Sequence, residues 1–381
     1  NHGSVHVQQT GLKLGRTINL GAIAVDAGSR LIVYGELEQS GGSLSGAGIL
    51  DVYSGGVVRK EAVHWTGSLV VSGGTVHLGA SSLYSEVVHA GGTLVIDEDM
   101  TAASPVNLLT GTVDGPGRLT IPMGALITLS ASNSTPILVR ASIDVDGSLH
   151  WNDGQVGLDG GSLQTAGNVS TTGGLVACYQ FAGDWRHCGV LTKSTLNTAR
   201  LAGDHMTFIN DGLVNINAGT FTLDCATETS GEYIVATGAT LRLNRAGLWG
   251  EDARVMGTGR AFVGGGGHEF QDQWSEFGGQ LTVESGGPVF HGEVSASRLT
   301  LGALDATFHG ATNVGILQMQ GGTLRGDGDV HVDSVMIWSG GAMTGAGRTV
   351  LGPEGFSFLN IFETISVQRQ LINQGTIAWG N

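Results

Sequence analysis

Hydrophobic and polar residues alternate along most of this chain of 381 residues. The alternation is clear in residues 30–37 (RLIVYGEL), 93–99 (TLVIDED) and 233–243 (YIVATGATLRL). A period of two places successive side chains on opposite faces of a β-strand. No segment shows the apolar spacing of an amphipathic helix, in which apolar residues recur three and four positions apart. The pattern therefore predicts an all-β chain of many short strands.

Glycine pairs separate these strands at a regular interval. Gly-Gly or Gly-Thr pairs begin at positions 73, 91 and 111, and again at positions 321 and 340. A fixed period of about 20 residues, combined with strands and glycine turns, is typical of a repeat architecture. The sequence therefore predicts a single β-solenoid of about 19 rungs over residues 1–381, interrupted by irregular loops at 176–190 and 264–279.

A second pattern consists of an apolar residue followed at a short distance by Gly-x-Gly. The first glycines of its copies are Gly46, Gly115, Gly257, Gly326 and Gly345. Glycine adopts the positive φ of a tight corner and permits close backbone stacking, so each copy is interpreted as one corner of the coil. The apolar residues before the glycines are predicted to point inward, namely Leu44, Val113, Leu324 and Met343. A dinucleotide-binding motif is excluded, because it needs a third glycine and a following helix.

Two kinds of segment resemble known repeats. Residues 208–224 (FINDGLVNINAGTFTLD) and 231–243 resemble the repeat N-x-G-x-[VL]-x-[VI]-x-x-G-[TA]-[FL]-x-[LF] of large exported surface proteins. Residues 150–169 and 337–350 are similar to its companion unit, W-x-x-G-x-[ILM] with a later Gly-x-Gly. Such repeats occur in adhesin-like and autotransporter-passenger-like proteins. The resemblance implies a right-handed parallel β-helix that lies outside the cell or on its surface.

Composition supports a folded protein and limits its partners. Hydrophobic residues make up 41% of the chain, and its 65 glycines lack the three-residue period of collagen. The formal net charge of −15 disfavours nucleic acid, which requires a basic surface. No apolar run is long enough to span a bilayer, so membrane insertion is not expected.

Because the chain begins and stops within the pattern, we expect a segment of a longer chain or assembly. Its expected partners are neighbouring subunits at the solenoid ends or other surface proteins.

The loop at 264–279 (GGGGHEFQDQWSEFGG) interrupts the glycine rhythm and combines an aromatic ring with carboxylates. The residues of interest are His268, Glu269, Asp272, Trp274 and Glu276. An exposed ring that stacks on a sugar, with acids that accept hydroxyl hydrogen bonds, is the composition of a glycan site. Catalysis would further require two carboxylates about 5–10 Å apart. The other interpretation is an irregular turn.

The loop at 176–190 contains the second interruption, CYQFAGDWRHC. Cys178 and Cys188 are close enough in sequence to form a disulfide, which leaves Cys225 over, although the sequence leaves open whether Cys178 pairs with Cys188 or with Cys225. Rigid aromatic residues beside an arginine are typical anchors of interfaces, which makes Tyr179, Trp185 and Arg186 candidates for binding. A packed loop is the alternative interpretation.

A third cluster, GDGDVHVD, places Asp327, Asp329, His331 and Asp333 on one face of a predicted strand. Carboxylates and an imidazole in a row are a hypothesis for a divalent cation, Ca²⁺ in particular. A solvated strand face gives the same pattern. The sequence predicts no other cofactor.

Several remaining residues have plainer interpretations. Trp65, Trp151, Trp338 and Trp379 occupy one repeat position and are predicted to anchor the coil. Asn133 and Asn168 begin glycosylation sequons, which matter only for a eukaryotic source.

Two functions remain after these observations. The first is a non-enzymatic structural or adhesive β-solenoid, a surface rod or filament subunit. The second is a carbohydrate-active or glycan-binding β-helix, a glycosidase or lyase among them. Carboxylates from different rungs that meet in a cleft would favour the second function. A lyase mechanism based on lysine is poorly supplied, because the chain has only Lys13, Lys60 and Lys193.

Overall fold

A computed structural model describes residues 1–9, 11–39, 42–60, 65–79, 84–102, 105–132, 134–178, 180–271, 274, 276–360 and 364–380. These residues form β-strands and no helix, and the strands stack in parallel as a β-solenoid of about 18 turns. The all-β solenoid predicted from the alternation is therefore confirmed, with nearly the predicted number of turns.

The strands are short and follow one another at close intervals. The first 23 are β1 (Ser4–Val7), β2 (Gly11–Leu14), β3 (Thr17–Asn19), β4 (Ala22–Val25), β5 (Arg30–Val33), β6 (Glu36–Gln39), β7 (Ser43–Gly46), β8 (Ile49–Val52), β9 (Val57–Lys60), β10 (Ser68–Leu78), β11 (Glu86–Ile96), β12 (Met100–Thr101), β13 (Val106–Asp114), β14 (Arg118–Ile121), β15 (Leu126–Leu129), β16 (Ile137–Val139), β17 (Ser142–Val145), β18 (Ser148–Trp151), β19 (Gln155–Gly157), β20 (Ser162–Thr165), β21 (Asn168–Thr171), β22 (Gly174–Ala177) and β23 (Gly183–His187).

The next 23 strands are β24 (Val190–Lys193), β25 (Thr198–Asn210), β26 (Leu213–Ile216), β27 (Thr220–Thr229), β28 (Glu232–Val235), β29 (Thr240–Leu243), β30 (Gly247–Trp249), β31 (Arg254–Gly257), β32 (Arg260–Val263), β33 (Glu269–Phe270), β34 (Gln280–Val283), β35 (Val289–Phe290), β36 (Val294–Leu301), β37 (Ala306–Phe308), β38 (Thr312–Met319), β39 (Thr323–Arg325), β40 (Val330–Trp338), β41 (Gly341–Met343), β42 (Arg348–Leu351), β43 (Phe356–Asn360), β44 (Ile365–Val367), β45 (Gln370–Asn373) and β46 (Thr376–Gly380).

The chain divides into two compact units, residues 1–190 with 203–206 and residues 191–202 with 207–381. In the first unit, β14 pairs in parallel with β17, and β17 with β20. Strands β1, β4 and β7 form a separate three-stranded sheet in that unit. In the second unit, β29 pairs with β32 and β32 with β34. There Thr240, Arg260 and Gln280 lie side by side on three successive turns, which confirms the regular interval expected of a solenoid.

The core is built from the inward residues of each strand. Leu241, Ala261, Leu281, Leu299 and Leu317 occupy the same position on successive turns, and each is fully buried. Because strand side chains alternate, a register shift of one residue would turn their polar neighbours into the interior. The hydrophobic pattern therefore fixes the register of each turn.

The Gly-x-Gly corners behave as predicted. The first glycine of each copy has a positive φ: Gly46, Gly115, Gly257, Gly326 and Gly345. The preceding apolar residues Leu44, Val113, Leu324 and Met343 are all buried. At Gly345 an added Cβ would lie 2.1 Å from the carbonyl oxygen of Gly326, one turn earlier. Glycine is thus required both for the conformation and for the close approach of successive turns.

Tryptophans anchor the interior of both units. Trp65, Trp151 and Trp338 are buried, which confirms their predicted role as anchors, while the side chain of Trp379 lies outside the described residues. Trp185, Trp249 and Trp274 are buried as well.

Candidate functional site

The loop at 264–279 places its aromatic ring in the core and not on the surface. Trp274 is only 1% exposed, with its ring 5.2 Å from that of Phe270 and 5.5 Å from that of Phe277. His268 is also buried and stacks on Phe270 at 5.7 Å. The glycan-site hypothesis requires an exposed ring at Trp274, and burial of that ring contradicts it, whereas the alternative interpretation as an irregular turn is compatible with it. Trp274 packs inside the coil and cannot stack on a sugar there.

His268 is held as a neutral core residue. Its Nε2 lies 3.0 Å from the carbonyl oxygen of Gly264, so that nitrogen is the donor, whereas Nδ1 has no partner among the described residues. Burial lowers the pKa of His268. A neutral, buried imidazole that caps a glycine turn is suited to a structural role.

A continuous aromatic stack runs through this part of the second unit. Phe270 and Phe290 are parallel within 14° at 4.7 Å, and Phe290 and Phe308 are parallel within 4° at 4.9 Å. The register explains the stack, because β33, β35 and β37 pair in order and bring the three rings onto successive turns. This stack was not predicted from the sequence.

The carboxylates of the same loop have a different environment. Glu269 and Glu276 are exposed, and Asp272 lies outside the described residues. Glu269 pairs in register with Leu248, which in turn pairs with Glu228. Two exposed glutamates therefore flank an exposed leucine at a backbone separation of about 10 Å, two strand spacings. Glu269 of the loop and Glu228 two turns earlier are thus two carboxylates from different turns on one exposed face.

The predicted disulfide between Cys178 and Cys188 does not form. Cys178 points inward, where its Sγ donates a hydrogen bond to the carbonyl oxygen of Leu158 at 2.8 Å, whereas Cys188 is exposed. Residues 183–188 alternate between buried and exposed, so the side chain of Cys188 lies on the outer face. Burial raises the pKa of the Cys178 thiol to about 11, with further contributions from Asp159 and Asp184.

The other candidate residues of this loop are divided between the core and the surface. Trp185 is fully buried, and its Nε1 donates to Thr165 Oγ1 at 3.0 Å. The Thr165 hydroxyl also lies 2.9 Å from Nδ1 of buried His187. Arg186 is exposed on the outer face, and Tyr179 lies outside the described residues. Trp185 is therefore a core anchor, which agrees with the packed-loop interpretation and contradicts the hypothesis of an exposed interface anchor at this residue.

The acidic cluster at 327–333 is engaged in pairs with neighbouring turns. Asp327 Oδ1 lies 2.5 Å from Nδ1 of His309, and this hydrogen bond lowers the pKa of the Asp327 carboxyl. Asp329 accepts hydrogen bonds from the Arg348 guanidinium, with Nε to Oδ2 at 3.0 Å, which lowers its pKa to about 2.

His331, one of the two remaining members, makes a small further contribution to the lowered pKa of Asp329. His331 is partly exposed and Asp333 is exposed. Within the described ranges, no group of three or more His, Cys, Asp or Glu side chains is arranged to hold a metal ion. The geometry thus fits the solvated-face interpretation better than the calcium hypothesis.

Of the two glycosylation sequons, the one at Asn168 lies in the described part of the chain. Asn168 is exposed at the start of β21, and Asn133 lies outside the described residues.

Charged side chains on the surface are used between turns. Seven arginine–carboxylate ion pairs and three histidine–aspartate hydrogen bonds among the described residues join positions that are far apart in sequence, so that each partner lies on a different turn. They are His6–Asp26, Arg16–Glu36, Arg30–Asp51, His77–Asp97, Arg118–Asp144, Arg200–Asp224, Arg242–Glu284, Arg325–Asp305, His309–Asp327 and Arg348–Asp329. Single exposed pairs contribute little, but a series of them joins the turns along the coil.

One exposed aromatic pair was not predicted. Tyr34 and Tyr53 follow β5 and β8 on successive turns, with ring centroids 5.1 Å apart, and are 44% and 38% exposed. The sequence does carry a signal, because the dipeptide Val-Tyr occurs at positions 33–34 in IVYGE and again at positions 52–53 in DVYSG. We call the surface formed by Lys13, Arg30, Tyr34, Asp51, Tyr53 and Ser72 the tyrosine face.

Comparisons with known proteins identify no relative of this chain. No protein-family model, curated protein or solved structure matches this chain. The likeness to adhesin-like and autotransporter-passenger-like repeats thus depends on the sequence motifs, and the structure supports its β-solenoid fold. No helix in the described part of the chain is long and apolar enough to cross a membrane.

Proposed function

We propose that this chain is a non-enzymatic structural or adhesive β-solenoid of an exported surface protein, either a spacer or a filament subunit. The observation that carries the proposal is the series of ion pairs between turns. In an enzyme, charged side chains from several turns converge on an active site. In this chain they pair one turn with another, as Arg348 pairs with Asp329 and Arg118 with Asp144. The location outside the cell is proposed from the resemblance of the repeats.

The interior supports the same proposal. The stack of Phe270, Phe290 and Phe308 holds successive turns together by ring contacts of 4.7 and 4.9 Å. Aromatic pairs of this kind contribute roughly 0.5–1.5 kcal/mol each beyond the area that they bury. A coil joined in this way, by backbone ladders, rings and ion pairs, resists separation of its turns. That property suits a protein that keeps other domains or subunits at a distance.

The test has two parts. Antibodies raised against the purified chain should label intact, unpermeabilised source cells in immunogold electron microscopy. Label that appears only after permeabilisation would contradict the surface location. Negative-stain images of the purified chain should show end-to-end strings if it is a filament subunit. Isolated particles at every concentration would contradict the filament role and favour the spacer role.

A second function has one observation in its favour. The backbones of exposed Glu228 and Glu269, on either side of Leu248, lie about 10 Å apart, a spacing from which the two side chains can bring their carboxylates to the separation that an inverting glycosidase uses. A carbohydrate-active protein should release reducing sugar from a panel of polysaccharides, and Glu269→Gln should abolish that release. An inactive wild-type chain, or an equally active variant, would eliminate this alternative.

A further inference from the structure

The tyrosine face is an ordered aromatic surface in the first unit. Backbone hydrogen bonds from Tyr34 N to Leu14 O, at 2.9 Å, and from Tyr53 N to Val33 O, at 3.0 Å, fix the two tyrosines on successive turns. Gly15, one turn before Tyr34, has open space where a side chain would stand. The rings therefore stand beside open surface, and each tyrosine is more than a third exposed.

A buried carboxylate fixes the polar groups around the rings. Asp51 points to the outer face, yet it is only 1% exposed. Its Oδ2 accepts a hydrogen bond from Arg30 Nη1 at 3.0 Å, and its Oδ1 accepts one from Ser72 Oγ at 2.9 Å. The Arg30 side chain remains 46% exposed, and a guanidinium has five N–H donors. Arg30 thus presents donors to solvent from a fixed position.

The face also holds a cation in an otherwise acidic protein. Lys13 Nζ lies 5.7 Å from the centre of the Tyr34 ring, within the range of a cation–π contact. Lys13 has no carboxylate within ion-pair distance among the described residues, whereas the neighbouring Arg16 and Arg30 pair with Glu36 and Asp51. With Asp51 neutralising Arg30, Lys13 leaves this face locally positive, although the chain carries −15. Charge complementarity therefore favours an anionic ligand.

We propose that the tyrosine face binds a saccharide chain that carries acidic sugars. The C–H face of a sugar packs on Tyr53 and Tyr34, its hydroxyls accept from Arg30, and its carboxylate or sulfate lies at Lys13. Aromatic rings supply contact area at low entropic cost, and a lysine recognises an anion as a point charge. This inference rests on the adhesive form of the proposed function. It adds the class of ligand, an acidic saccharide, and the surface that binds it.

Biolayer interferometry on the immobilised chain tests the proposal with three probes: polygalacturonate, dextran sulfate and neutral dextran. We expect at least one anionic probe to bind and neutral dextran to bind much more weakly, and the two anionic probes separate carboxylate from sulfate recognition. Tyr53→Ala and Lys13→Gln should each weaken binding roughly tenfold. The matched controls are Phe358→Ala, where the ring is 38% exposed in the second unit, and Arg325→Gln, which removes a cation elsewhere.

Each outcome decides the question. Absence of binding to both anionic probes overturns the proposal, and equal binding of neutral dextran overturns the role of charge. Binding that Tyr53→Ala and Lys13→Gln leave unchanged, or that the controls weaken equally, places the ligand elsewhere on the chain. Circular dichroism of Tyr53→Ala and Lys13→Gln, compared with the wild-type chain, shows whether a loss of binding comes from unfolding, and Tyr53→Phe, which keeps the ring, should retain most of the binding. Immunogold labelling tests the surface location independently. A negative binding result would therefore overturn this saccharide site without contradicting the proposed surface location.

Discussion

Removal of the central ring of the aromatic stack should be among the most damaging single changes to this coil. Phe290 is 1% exposed and lies between Phe270, at 4.7 Å, and Phe308, at 4.9 Å. It also meets the edge of Trp274 at 6.0 Å. Phe290→Ala thus removes ring contacts with both neighbouring turns at once.

The magnitude follows from these contacts. Truncation of a buried phenylalanine to alanine costs about 3–5 kcal/mol. Each aromatic pair adds roughly 0.5–1.5 kcal/mol beyond buried area, and Phe290 takes part in two stacked pairs. Because measured truncation costs already include such ring contacts, the two stacked pairs place this residue at the upper end of the range, and we expect a loss of about 4–5 kcal/mol in the free energy of unfolding. Phe290→Leu keeps most of the volume and should cost less, about 1–2 kcal/mol.

Urea titration followed by tryptophan fluorescence measures this loss, because Trp274 adjoins the ring. Phe358→Ala is the control, since that ring is 38% exposed and its truncation should cost less than about 1 kcal/mol. If Phe290→Ala costs no more than the control, the stack does not hold the turns together. If Phe290→Leu costs as much as Phe290→Ala, ring stacking and not cavity formation dominates.

Three further predictions concern a corner, the thiols and one buried histidine. Gly345→Ala should destabilise more than Gly124→Ala, because both glycines have positive φ (103° and 84°) but only at Gly345 does an added Cβ meet a backbone oxygen. Equal urea midpoints would contradict the clash. A thiol reagent at pH 8 should label Cys188 in the folded chain and Cys178 only after unfolding, as counted by mass spectrometry; a native disulfide would leave both unlabelled until reduction. Burial lowers the pKa of His89 below its ordinary 6.5, so the unfolded chain binds more protons below about pH 6.5 and stability falls from pH 7 to pH 5. His89→Gln should reduce that fall in urea titrations, and an unchanged fall would assign it to other groups.

Local chemistry made the corners predictable. Gly46 and Gly326 were placed at corners from a short motif, and both have positive φ. Leu44 and Leu324 were placed inside from the same motif, and both are buried. Such features follow from adjacent residues, since a strand alternates its side chains and a tight corner excludes a Cβ.

The candidate site was predicted less well, and Trp274 shows why. It follows a strand of only two residues, Glu269–Phe270, so there is too little alternation to show which face it takes. The prediction of a disulfide was wrong for a related reason. Closeness in sequence does not show that Cys178 points inward and Cys188 outward. Tyr34 and Tyr53 carry a repeated Val-Tyr signal, but only the register shows that their rings adjoin.

By itself, the sequence determined the all-β character, the regular repeat interval, the glycine corners and the inward leucines. These depend on residues that are neighbours in the chain. The tertiary structure alone decided which side chains of different turns meet: Arg30 with Asp51, His309 with Asp327, and Phe290 with Phe270 and Phe308. Partners one turn apart are separated by loops of unequal length. A change of one residue in such a loop moves a side chain to the opposite face or to a different partner.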